Sequence, residues 1–367
     1  SGGSFRRGAW ARRRGSAVVI GFHRRKWTRK ILTPPIAYRF SRKTVRRFFP
    51  GVVVCFTVAA AARFLSDHYG APQMLFALLL GLAFHFLAEE NSCIPGIELT
   101  AKKILQIGVA LLGMRITVDQ VIGLGLDSVA LVGAGVIATI LVGIGMARLL
   151  GRTAVFGMLT GGAVGICGAS AALAISAVLP RNSNAERNTI FTVIAVTTLS
   201  TISMIAYPII ATWLGMSDHT AGLFLGGSIH DVAQVIGAGY GLSPEVGDIS
   251  TVTKLFRVAM LVPVVFTLSL LFRNRGGKAG KIPVPFFVLF FCLFVGINSY
   301  APLPEGLHEA LVNASRWCLV AAIGALGVKT SLKSLAQVGT IPIVMMVTET
   351  VFLAAWIIGG TWLLGLE

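Results

Sequence analysis

Apolar residues run along this chain in long blocks, not in the strict alternation of a half-buried strand. Charge is missing from 128–147, 153–180, 188–217 and 282–304. A helix rises about 1.5 Å per residue, so about 20 residues cross a hydrocarbon core about 30 Å thick. One such block fits the buried helix of a soluble protein; a series of them fits only a membrane. The blocks predict eleven spans, at 48–65, 71–88, 99–115, 127–147, 154–180, 188–214, 220–240, 250–272, 282–300, 308–329 and 339–365. The expected fold class is an all-α polytopic membrane protein.

Composition agrees. Hydrophobic residues make up 55% of the chain and charged residues 13%, against about 25% charged in a soluble domain. The net charge of +17 comes from one end: residues 1–47 hold fifteen Lys or Arg and no acid. That divides the chain into a basic tail, 1–47, and a transmembrane domain, 48–367. A basic arm suits nucleic acid, and an acid-free leader also resembles a transit peptide. Because the tail abuts the first apolar block at Phe48, cytoplasmic placement against anionic lipid headgroups explains it better, and no nucleic-acid partner is expected. Cys55, Cys93, Cys167, Cys292 and Cys318 show no CxxC spacing and read as free thiols.

Loop charges orient the spans. With the N-terminus inside, Arg148 and Arg152, the basic loop 273–281, and Lys329 with Lys333 all fall inside, whereas the outside loops 66–70, 241–249 and 301–307 carry no Lys or Arg; the exception is 181–187, with Arg181 and Arg187 against Glu186. An odd span count then puts the C-terminus outside. A weak repeat supports the layout. The segments 105–125 and 319–339 align at an offset of 214, matching Leu112-Gly113 with Leu326-Gly327, Arg115 with Lys329, Thr117 with Ser331 and Gly125 with Gly339. The two copies point in opposite directions across the bilayer, an inverted-repeat arrangement used by secondary transporters. The plain alternative is chance likeness between two glycine-bearing helices.

Two segments are poor continuous helices and are expected to be discontinuous. Residues 160–170 place Gly161, Gly162, Gly165 and Gly168 within one apolar span, and each glycine costs about 1 kcal/mol against Ala in a helix. Residues 226–234 read Gly-Gly-Ser-Ile-His-Asp-Val-Ala-Gln. Ser170 is the expected cap of a half-helix 171–179. Ser228 and Asp231 stand in the S-x-x-D relation of a helix start, which puts Asp231 in the first turn. Half-helix N-termini present free N–H groups and partial positive charge, a natural cradle for an anion. The candidate substrate-binding residues are therefore Gly165, Cys167, Gly168, Ser170, Gly227, Ser228, His230 and Gln234. Close packing through small residues is the bland alternative for the glycines. Lys254 and Arg257, at i and i+3 on one helical face, either attract the anion or snorkel to the interface. Asp231 and Glu349 are the coupling-ion candidates, with an ion-pair role open to each. Arg115 and Lys329 read as interface anchors and His85 as structural.

These segments resemble a known family. The stretches 165–171 (GICGASA), 226–235 (GGSIHDVAQV), 252–258 (VTKLFRV) and 325–328 (ALGV) are similar to the YeiH-like sulfate exporter family of bacterial inner-membrane proteins, over roughly 50–367. Asp231 stands where similar proteins often have Glu, and the long basic tail also departs from the pattern. The resemblance implies an inner-membrane secondary transporter, distantly similar to sodium/proton antiporters and bile-acid symporters. Its expected cargo is a small anion such as sulfate or a sulfonate, exported by alternating access coupled to H⁺ or Na⁺. A homodimer is kept among the expected partners; no cofactor or metal is. A channel would need a continuous polar pore. An intramembrane enzyme would need more than the pair Cys167 and His230, so no catalysis is expected. The absence of a GxxxxGK[ST] loop argues against an ATP-driven pump.

Overall fold

In the computed structural model the described residues are 42–70, 72–88, 92–180, 184–272, 285–301, 303–330 and 340–366, with side chains from residue 46 onward. The tail up to residue 41, the basic loop 273–281, Lys333, the repeat positions Ser331 and Gly339, and Glu367 lie outside them. The chain divides into Ser1–Thr44 and Val45–Glu367, and nearly all described structure belongs to the second unit.

Every described element is a helix. In chain order they are α1 (Arg42–Tyr69), α2 (Gln73–Ala83), α3 (Ile94–Leu99), α4 (Leu105–Leu112), α5 (Val118–Gly123), α6 (Leu126–Leu149), α7 (Ala154–Gly165) and α8 (Ala169–Val178). There follow α9 (Ala185–Trp213), α10 (Asp218–Ser228), α11 (Val232–Leu242), α12 (Pro244–Ala259), α13 (Leu261–Phe272), α14 (Phe286–Tyr300), α15 (Glu305–Lys329) and α16 (Thr340–Leu363). Among the described residues, six stretches are long and apolar enough to cross a membrane: Arg46–Tyr69, Leu126–Leu149, Ala185–Trp213, Pro244–Phe272, Glu305–Lys329 and Thr340–Leu363. Their outward faces carry Phe64, Ile137, Leu141, Ile209, Leu270 and Val351, while Lys254, Arg257, His230 and Glu349 are wholly buried. That inverts the distribution water would select, and the protein is a multi-pass membrane protein.

Several expected boundaries move. The first helix starts at Arg42, not at 48, so Arg46 and Arg47 ride exposed on it. The second stops at Ala83, and a tight turn, His85–Ala88, follows. There His85 Nδ1 bonds the Val328 carbonyl near the end of α15, at 2.7 Å, the structural role expected of it. The expected span 250–272 begins at Pro244, capped by Ser243, whose Oγ accepts from Val246 N at 3.1 Å. It is interrupted at Met260, where Pro263 has no N–H to offer the Ala259 carbonyl.

The helices form two groups. In one, α15 packs against α2 and α4, and α4 against α14. Ser315 Oγ donates to Gly108 O at 2.7 Å and His308 Nε2 meets Met114 O at 2.9 Å, which sets α4 and α15 antiparallel. In the other, α6 packs on α7 and α16, α12 on α10 and α11, and α9 on α8 and α11. The second group contains both expected discontinuities. The groups meet where α11 lies on α2 and α15 and where Arg115, beyond α4, reaches α12.

Candidate site at the paired helix breaks

The half-helices α7 and α8 have 12 and 10 residues, and α10 and α11 have 11 each. They rise about 15 to 18 Å apiece, so each pair is about as long as the hydrocarbon core is thick, with its break near the middle. The first break is at 166–168 and the second at 229–231. They touch: a Cβ built on Gly168 would lie 3.7 Å from the His230 Cβ.

Ending two helices at this depth leaves backbone carbonyls that lipid cannot satisfy. Lys254 and Arg257 meet them. Lys254 Nζ donates to Ile166 O at 2.6 Å and Ile229 O at 2.9 Å. Arg257 Nε donates to Gly165 O at 2.9 Å, Nη1 to Gly226 O at 3.1 Å and Ile229 O at 3.0 Å, and Nη2 to Val164 O at 2.9 Å and Gly165 O at 2.7 Å. All five guanidinium N–H groups are used. The cations face the partially negative C-terminal ends of α7 and α10, where the macrodipole favours them. Neither side chain snorkels to an interface, because both are completely buried. Their helical spacing was legible in the sequence; their acceptors were not, because carbonyl ends carry no residue signature.

The N-terminal ends differ from the expectation at two caps. Ser228 is the last residue of α10, and its Oγ donates back to Phe224 O. Asp231 takes the cap of α11 itself: its Oδ1 accepts from Ala233 N at 2.9 Å, while its own N–H donates to Ser200 Oγ at 3.0 Å. A cap must sit just outside the helix in extended backbone, and Asp231 does, at φ −99° and ψ 142°. Ser170 is likewise inside its helix and exposed; Gly168, at φ +66°, holds the cap position of α8 and lends it no side-chain bond.

Other expected residues take their places around this crossing. Gly165 closes α7. Cys167 is buried within electrostatic reach of Lys254, Asp231 and Arg257. His230 Nε2 meets Thr350 Oγ1 at 3.0 Å, not Cys167, so the nucleophile–base pair is not assembled. Gln234 Nε2 donates to Thr201 Oγ1 at 2.8 Å and its Oε1 is buried without a partner. Gly227 lies against Ile357, 3.0 Å from where its Cβ would be, which is a packing contact away from the crossing. Glu349 is buried between α6, α7 and α16 and accepts from Thr160 Oγ1 at 2.7 Å. Among the described residues neither Glu349 nor Asp231 forms an ion pair.

Ser200 and Thr201 were missed. The signal was a run of hydroxyls in an otherwise apolar span, Thr197, Thr198, Ser200 and Thr201, whose side chains project toward the second break at two of the four positions. Arg115 is not a lipid-interface anchor: Nε lies 3.2 Å from Asp248 Oδ1, and its guanidinium stacks 5.1 Å over the Tyr240 ring. Tyr240 in turn donates to Asp248. Lys329 is exposed at the end of α15 and acts electrostatically on Asp231. All five cysteines are free.

Broken helices whose ends converge inside a multi-pass α-helical bundle define the class as a polytopic membrane protein with an internal polar centre. The family described as Conserved hypothetical protein 698 matches residues 50–346, and the chain belongs to it. This is the family to which the motifs of both breaks pointed. The chain is 55% identical over 349 residues to a UPF0324 membrane protein of Chlorobaculum tepidum, covering 94% of each. It is 54% identical to one of Rhizobium meliloti, covering 86% of this chain and 93% of that one. It is 50% identical to the UPF0324 membrane protein TauZ of Paracoccus pantotrophus, covering 89% of this chain and 98% of that one. No solved structure matches the chain.

Proposed function

We propose that the protein is a secondary active transporter of a small anion, sulfate or a sulfonate, exporting it across the bacterial inner membrane by alternating access coupled to H⁺ or Na⁺. One observation carries the reading: the α8 N-terminus opens at mid-depth behind a glycine, Gly168, at its cap position, with Ser170 exposed and Ala169 half-exposed. It offers first-turn N–H donors and partial positive charge to an anion. Lys254 and Arg257 hold the crossing together and bias it positive, with their N–H groups engaged by carbonyls. Taurine, as a small sulfonate, is among the candidates.

The antiparallel α4 and α15 support the inverted repeat, and the two helix groups with their narrow contact support movement of one against the other. The wider reading keeps eleven spans, the N-terminus in the cytoplasm and the C-terminus outside, a likeness to antiporter and symporter folds, and no enzymatic activity. The test is a thermal-shift screen of purified protein against sulfate, sulfite, taurine, phosphate and chloride, across pH and with or without Na⁺, followed by flux in liposomes. One of the sulfur oxyanions should stabilise the protein and move. If none binds or moves, the reading fails. A large voltage-driven conductance would replace it with a channel.

A further inference from the structure

Glu349 is the buried acid that the crossing does not use. It sits on α16 with no exposed surface, and among the described residues no charged group acts on it. The elements packed on α16 are α6, α7, α9 and α10. Helix α7 has no titratable side chain; α6 has Asp127 and Arg148 at its ends, α9 has Glu186, Arg187 and Tyr207, and α10 has Asp218 and His219. His230, in the second break, contacts Thr350, the next residue along α16. None of these contacts Glu349. The carboxyl is instead enclosed by Thr160 and by small residues: a Cβ on Gly143 would stand 2.8 Å from Oε1 and 3.1 Å from Gly161 Cα.

The hydrogen bonds there do not balance with an ionised group. Thr160 Oγ1 lies 2.7 Å from Glu349 Oε1 and 3.3 Å from Gly157 O. It has one hydroxyl proton and two acceptors. Glu349 Oε2 is buried with no hydrogen-bond partner among the described residues. An unpaired carboxylate in a dry interior is costly, and buried charge normally finds a partner or neutralises. A proton on Oε1 resolves the arrangement: the carboxylic acid donates to Thr160 Oγ1, and Thr160 donates on to Gly157 O. A hard cation would need several oxygen ligands around it; Thr160 is the side-chain hydroxyl that contacts this carboxyl.

We propose that Glu349 is an occluded proton site, holding its proton against Thr160 in this conformation and releasing it when α6, α7 and α16 part. As the coupling ion this proton rests on the transport reading; its presence does not. Infrared absorption of the purified protein in an ester-free detergent tests it at neutral pH. Wild type should show a protonated-carboxyl C=O band that is absent from Glu349→Gln. In Thr160→Val the band should persist at a shifted frequency, which keeps the test valid if the glutamine variant does not fold. Addition of Na⁺ should leave the band in place, and transfer to D₂O should shift it slowly, as expected of a sealed group. The same spectrum in Glu349→Gln as in wild type, no shift in Thr160→Val, loss of the band with Na⁺, or immediate exchange overturns the proposal. A normal band in a protein that moves no anion overturns only the transport reading.

Discussion

At the first break the chain turns through Gly168 at φ +66° and gives α8 no side-chain cap; at the second it turns through extended residues, and Asp231 caps α11 with its own carboxylate. The C-terminal sides are alike, since α7 and α10 both end on Lys254 and Arg257. The N-terminal sides are therefore where the breaks diverge. One positive helix end carries a capping carboxyl side chain, and the other has a glycine, without a capping side chain, at its cap position. A pair of identical breaks would make a symmetric double cradle; on the proposed reading this pair makes one cradle, at α8, and one counterpart filled by Asp231.

The shared side should yield the largest effect. Arg257→Ala leaves carbonyls of both breaks buried without donors, and removing one partner of a buried charged network costs about 3–5 kcal/mol. Thermal unfolding should show this as a large fall in stability, or as loss of monodisperse protein. Arg257→Lys keeps the charge but not the planar fork and should recover only part. Lys254→Met removes donors from two carbonyls and should cost less than Arg257→Ala. A near-normal Arg257→Ala would mean that the breaks do not depend on a common clamp.

Gly168→Ala comes next and separates the breaks. Space is available, with the nearest atom 3.7 Å from the new Cβ. The backbone is not suited to it: φ +66° with ψ −127° is a region populated almost solely by glycine, and occupying it costs about 1–3 kcal/mol. Ala at Gly227 tests packing instead, because its Cβ would meet Ile357 at 3.0 Å. Anion affinity should fall with Gly168→Ala and hold with Gly227→Ala; equal losses would remove the distinction between site glycine and packing glycine.

How much of this was readable in advance follows from what each feature is made of. The breaks were legible because glycine clusters and polar residues inside 160–170 and 226–234 contradict a continuous apolar helix. Their caps were misassigned by position because the S-x-x-D pattern at Ser228 and Asp231 fits a helix start at either residue, and only the backbone path decides between them. Lys254 and Arg257 were visible as a pair, but their role depends on carbonyls brought from 88 to 93 residues away for the first break and 25 to 31 for the second. Ser200 and Thr201 were hidden in a span that composition marks only as uncharged. Glu349 was conspicuous as an acid in an apolar span, whereas its partner Thr160 lies 189 residues away.

Asp231 gives a smaller effect on stability and a sharper one on binding. Asp231→Ala removes the α11 cap and should cost about 1 kcal/mol, whereas Asp231→Asn keeps a good capping side chain and should cost only a few tenths. Both remove the tethered negative charge from the second break. If that charge is what closes the α11 end to an anion, both variants should bind sulfate or taurine at least as tightly as wild type, by thermal shift or calorimetry. The stability measurement separates them and the affinity measurement groups them. Affinity that tracked stability, weaker in Ala than in Asn, would make Asp231 a structural cap with no bearing on the anion.

Ser170→Ala should have the smallest effect on stability, and it tests the open break most directly. Ser170 is exposed, follows the cap position of α8 by two residues and makes no capping bond, so its loss should change stability by less than about 0.5 kcal/mol. Its hydroxyl nevertheless stands in the first turn of the uncapped half-helix. A hydrogen bond to a charged ligand contributes about 1.5–3 kcal/mol, which is more than tenfold in affinity. Ser170→Ala should therefore leave thermal unfolding of the free protein unchanged while weakening anion binding by about that factor, and Ser170→Thr should restore part of it. Unchanged affinity would place the anion deeper, at the backbone N–H groups alone, and altered unfolding without an affinity change would mean that the hydroxyl serves the helix and not the cargo.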